Sequence, residues 1–167
     1  MELSGEGWVR VSVWVALLCY PAGPLSLLLR PTGRVHVVAR WVWTVGCIAF
    51  CGHVVAAFHV FYGWSHTTAL AETARQTAET VGSNSDVGLY LNYLFTLLWA
   101  LDVGRAWTRS AGRSTRGDLA LHAFLFFMVF NGAVVFADGI SRALGLAVTL
   151  LLALACAARF VHRRVHG

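Results

Sequence analysis

Lysine is absent from this 167-residue chain, and charge of either sign is scarce. Charged residues make up 13% of it, about half of what a soluble domain carries. Arginine supplies all the basic charge, and the formal net charge is +5. Such a balance would suit nucleic acid, yet the arginines cluster in short connections between apolar runs, where membrane topology is set. No glycine-rich phosphate loop or zinc-knuckle spacing accompanies them. Nucleic acid is therefore excluded as a partner, and the lipid bilayer is expected in its place.

Catalytic signatures are missing too. The chain has no HExxH zincin motif, no GxSxG nucleophile elbow and no CxxC pair. Its four cysteines, Cys19, Cys47, Cys51 and Cys156, lie inside apolar runs, where cysteine packs as a small hydrophobe. Cys47 and Cys51 stand one turn apart and would suit half a metal site, but packing is the preferred reading. No internal repeat supports a transporter built on duplicated halves.

What the chain has in abundance is apolar length. Hydrophobic residues are 57% of the sequence and mean hydropathy is +0.64. Five runs, about 8–29, 37–63, 87–107, 118–137 and 140–160, reach the length of a bilayer span. An all-α integral membrane bundle in one transmembrane domain, 1–167, follows. The first run contains Pro21 and Pro24, so its helix is expected to kink. The acidic start MELSGEG is unlike the basic head of a cleaved signal, so this span is expected to be retained.

Between the second and third runs lies the one sizeable hydrophilic stretch, 65–86. Leu70, Ala74, Ala78 and Val81 recur at helical spacing, with Glu72, Arg75, Gln76 and Glu79 mainly opposite. That pattern predicts a short amphipathic helix on the membrane surface. Arginine then orients the bundle. Arg30, Arg34, Arg40, Arg105, Arg109, Arg113, Arg116, Arg159, Arg163 and Arg164 fall on one side; Arg10, Arg75 and Arg142 fall on the other. The positive-inside rule puts the first group in the cytoplasm. An inner (plasma) membrane protein with an extracytoplasmic N-terminus and a cytoplasmic C-terminus is expected.

Polar residues inside the spans mark the candidate site, since ionisable groups in hydrocarbon are costly. His59 and His66 are seven residues apart, two turns on one face. Asn131 and Asp138 have the same spacing on the fourth run, and Asn92 and Tyr93 reach the same layer from the third. These six residues are predicted to converge in the outer half of the membrane, with His53, Glu72 and Gln76 as further candidates. His59, His66 and Asp138 form a donor set suited to a transition metal such as zinc, copper or iron. Haem is disfavoured, because His53 and His122 differ in depth by about 8 Å and His59 and His66 belong to one helix. Asp102, near the cytoplasmic end beside Trp99 and Arg105, is expected to face the interface or pair with an arginine. Without further carboxylates at intermediate depth, proton pumping is discounted.

The segments FHVFYGWSHTTALAETARQTAETVG, GLYLNYLFTLLWALDV and FFMVFNGAVVFADGISRALG resemble small multi-span membrane proteins of bacteria catalogued as uncharacterised. The resemblance covers roughly 36–145 and implies no activity. Two functions from different classes stay open. One is a non-catalytic subunit or assembly partner of a membrane complex, favoured by small size and missing catalytic motifs. The other is a metal-binding protein, or less favourably a haem- or quinone-binding one, with redox chemistry at the outer cluster. An enzyme acting on a lipid has weaker support.

Overall fold

The structure is a computed structural model that describes residues 4–108 and 115–166. Among them the chain is all helical, without a strand. Five segments are long and apolar enough to cross a membrane: Gly5–Leu29, Gly33–Val60, Val87–Thr108, Arg116–Val135 and Gly139–His162. Arg109 and Arg113 of the basic connection lie outside the described residues.

The first run is two helices, α1 (Gly5–Cys19) and α2 (Ala22–Leu29), joined at Tyr20–Pro21. Proline explains the join, because neither Pro21 nor Pro24 has an N–H for the carbonyl four residues back. The Tyr20 carbonyl instead receives a long bond, 3.4 Å, from the Gly23 amide. Ser4 starts α1, its side chain accepting from the Gly7 amide. Arg30, in the left-handed region at φ 51°, ends α2.

Helix α3 (Gly33–Val60) is the central strut, packed against α1, α2 and α5. It stops three residues short of the expected Gly63. Gly63 (φ 52°) and Trp64 (φ 62°) turn the chain through left-handed geometry, which a helix cannot continue. Helix α4 (His66–Val81) follows, begun by Ser65, whose hydroxyl accepts from the Thr68 amide, and ended by Gly82 at φ 73°. It packs on α5 (Val87–Thr108).

Helix α6 (Thr115–Phe130) runs into a π-helical turn, Asn131–Val135. In it the Phe136 amide bonds five residues back to the Asn131 carbonyl, at 2.9 Å. The last helix, α7 (Gly139–His166), packs on that turn and on α1. A Cβ at Gly145 would sit 2.5 Å from the Ala133 carbonyl oxygen, so only glycine lets α7 approach this closely. Gly23 serves the same end, its missing side chain making room for the Trp43 ring.

The core is aromatic. Tyr20, Trp43, Phe95 and Trp99 are buried together, with Phe50 against them. Outward faces carry Ile48, Leu97, Leu101, Leu150 and Leu154, all exposed. Apolar residues facing out along five long helices are consistent with a membrane protein.

Candidate functional site

A concavity opens between α1, α3, α5 and α6 at the end of the bundle that carries α4. Its volume is about 620 Å³, within the range of small-molecule sites. Most of its wall is apolar, from residues such as Leu17, Val54, Phe58, Leu89 and Phe127. Polar groups enter from five elements: His53 from α3, Gln76 from α4, Asn92 and Tyr93 from α5, Asn131 from the π turn and Ser141 from α7. The cavity floor is Tyr20, Phe50, Phe95 and Trp99.

Four of these polar wall residues have a local reason for their position. His53 Nδ1 lies 2.9 Å from the Val9 carbonyl. A carbonyl only accepts, so Nδ1 carries the proton and donates, which ties α3 to α1. Asn131 donates from Nδ2 to the Phe127 carbonyl at 2.7 Å, at the first residue of the π turn. Such turns often sit at functional sites. The Tyr93 hydroxyl and His66 Nδ1 share a 3.1 Å hydrogen bond, which fastens α4 to α5. Trp14 Nε1 reaches Ser141 Oγ at 3.0 Å, joining α1 to α7.

Of the residues singled out in the sequence, the cavity gathers His53, Gln76, Asn92, Tyr93 and Asn131. It does not gather His59, His66 or Asp138. The turn at Gly63–Trp64 puts His66 on a different helix from His59, so the two do not share a face as their spacing predicted. His59 is exposed, its ring 6.3 Å from that of Trp64. Asp138 lies past the end of the π turn, exposed in the connection to α7, where its carbonyl accepts from the Arg142 amide. Among the described residues no three His, Cys, Asp or Glu side chains come together to hold a metal ion. His59, His66 and Asp138 are therefore not brought together as a metal-ligand set.

A second polar constellation, at the opposite end of the bundle, is only partly visible in the sequence. Asp102, Asp118 and His122 are buried. Trp43 Nε1 donates to Asp102 Oδ2 at 3.0 Å across α3 and α5. The Trp43 ring meets that of His122 edge-on at 5.8 Å, and Arg105 Nη2 lies 3.8 Å from Asp118 Oδ1. The signal for this group was the rule that a charge inside a span needs a partner. The rule reaches Asp102 but does not point to Trp43.

Glu72 and Gln76, taken as site candidates, have different fates. Gln76 lines the cavity and donates to Glu72 Oε1 at 3.0 Å. Glu72 is bound along α4 by Arg75, whose Nε lies 2.9 Å from Oε2 and whose Nη1 also reaches Glu79. Burial pushes the nearby Tyr62 phenol up, and the Glu72 carboxylate adds to the effect.

Compared with known proteins, the chain matches no family model, no curated protein and no solved structure.

Hydrogen bonds from Arg75 and then Gln76 hold the Glu72 carboxyl down to about 2. A depressed carboxylate stabilises the fold fully above its ordinary pKa, and the gain is lost as pH falls toward the depressed value. Helix α4 should thus keep this contribution at neutral pH and lose it between roughly pH 4.3 and pH 2. Carboxyl-carbon NMR should find a Glu72 midpoint about 2, rising toward the ordinary carboxylate range in Arg75→Ala, where the Gln76 bond remains. An equal midpoint in both proteins would contradict the assignment.

Proposed function

We propose that the chain is a single transmembrane domain of a bacterial plasma membrane, acting as a non-catalytic subunit or assembly partner of a membrane complex. Five helices cross the bilayer, the first kinked at Tyr20–Pro21 where the proline rungs are missing. Arginine numbers favour an extracytoplasmic N-terminus and a cytoplasmic C-terminus. Helix α4 then lies on the outer surface and covers the cavity mouth. Its polar face, with Glu72, Arg75 and Glu79 in one ion-paired run, suits water, and its buried Ala69 suits the bundle.

The observation that carries the reading is how the polar side chains are used. Trp14 bonds Ser141, Trp43 bonds Asp102, His53 bonds the Val9 carbonyl, and His66 bonds Tyr93, each pair on different elements. Interhelical hydrogen bonds of this kind fix packing in lipid, where apolar contact alone gives little drive to associate. A nucleophile with its base, or a metal set, would need some of these groups to be free for chemistry.

Two measurements test the proposal. A reporter fused after Gly167 should be active in its cytoplasmic form, and periplasmic activity there would reverse the topology. Native electrophoresis after mild detergent extraction should find the chain in an assembly larger than its own dimer. Recovery as monomer alone, or with stoichiometric metal or haem, would overturn the subunit reading.

A further inference from the structure

Two residues of the cavity floor each carry a buried polar atom without a hydrogen-bond partner among the described residues. Tyr20 is fully buried at 0% exposure and Trp99 at 1%. Among the described residues neither Tyr20 Oη nor Trp99 Nε1 has a hydrogen-bond partner. Both residues line the cavity. A buried donor left unmet costs stability, and such groups are rare enough to call for an explanation. Trp99 Nε1 can only donate, so whatever satisfies it must bring an acceptor. A bare hydrocarbon chain is thereby excluded.

Charge narrows the chemistry further. Among the described residues no Asp, Glu, Lys or Arg lines the cavity. A phosphate or carboxylate head would lose its water there and find no counter-ion, a heavy penalty in a dry site. The head must therefore be uncharged. Its shape follows from the floor, where aromatic rings meet at close range: Phe50 and Trp99 stack with centroids at 5.9 Å, and Tyr20 meets Trp99 edge-on at 5.8 Å. Aromatic surroundings of this kind favour a flat ring. From Trp99 to Val87 the cavity follows α5 for roughly 18 Å at 1.5 Å per residue. Along that length Phe58, Leu89, Phe127 and Phe136 offer an apolar path for a tail.

We infer that this cavity is a binding site for a lipid-soluble quinone. Its carbonyl oxygens accept from Tyr20 Oη and Trp99 Nε1, its ring lies against Phe50 and Phe95, and its tail runs toward the α4 end. His53, with Nδ1 committed to Val9, stands in the cavity wall above the ring. Binding of this kind requires none of the metal ligands expected from the sequence.

The test uses the full chain in detergent, titrated with decylubiquinone and read by tryptophan fluorescence quenching. Saturation at one quinone per chain is expected. Tyr20→Phe, which removes only the hydroxyl, should weaken binding about fivefold. Trp8→Phe, an exposed position outside the cavity, should leave it unchanged. Competition on the unaltered chain keeps the test decisive even if Tyr20→Phe folds poorly. Oleate, with a charged head, and dioctanoylglycerol, uncharged but without a flat ring, should each fail to displace the quinone at equal concentration. Absence of saturation, equal affinity in a folded Tyr20→Phe, or displacement by either lipid would overturn the assignment.

Discussion

A carboxyl group buried in a helical bundle has to be held by a donor, and here the indole of Trp43 holds Asp102. The 3.0 Å bond joins residues 59 apart in sequence and fixes α3 against α5 at one depth. Trp43 is itself fixed. Its ring lies 4.7 Å from that of Trp99 and 5.7 Å from that of Tyr20, and Gly23 leaves room for it on α2. Asp102 thus sets the Trp43 ring, and that ring sets the two that floor the cavity. The His122 ring, edge-on to Trp43, brings α6 to the same centre.

From that centre the bundle differs in its two directions. Toward Arg105 it carries buried Asp118 and His122 in the company of buried indole. Toward α4 it is open, because the π turn and the Tyr20–Pro21 join both loosen the packing of straight helices. A π turn displaces the following residues from the α-helical register, and a missing proline rung leaves a carbonyl weakly bonded. The cavity lies between these two irregularities. Gly145 keeps α7 tight on the far side of the π turn, so the space opens inward.

The sequence revealed what depends on local composition. Five apolar runs and their approximate limits could be read directly, since helix length and hydropathy are properties of contiguous residues. So could a helix within 65–86, from its alanine and leucine spacing. Site geometry was far less legible. The expected His59–His66 stripe assumed one continuous axis, and two left-handed residues, Gly63 and Trp64, end that axis between them. Non-glycine φ values above zero leave no periodic trace. Asn131 lines the cavity, but the π turn that it begins makes seven-residue spacing to Asp138 meaningless as a face. The Trp43–Asp102 bond was invisible for another reason. Tryptophan in an apolar run reads as bulk, and its single N–H becomes significant only when a partner from another helix is known.

The buried hydrogen bond between Trp43 and Asp102 organises the aromatic centre. A double-mutant cycle measures it most directly, with Trp43→Phe, Asp102→Leu and the double variant compared by unfolding in detergent. A coupling of about 1–3 kcal/mol is predicted, as for a buried hydrogen bond to an acidic group. Effects that simply add, within about 0.5 kcal/mol, would contradict the account.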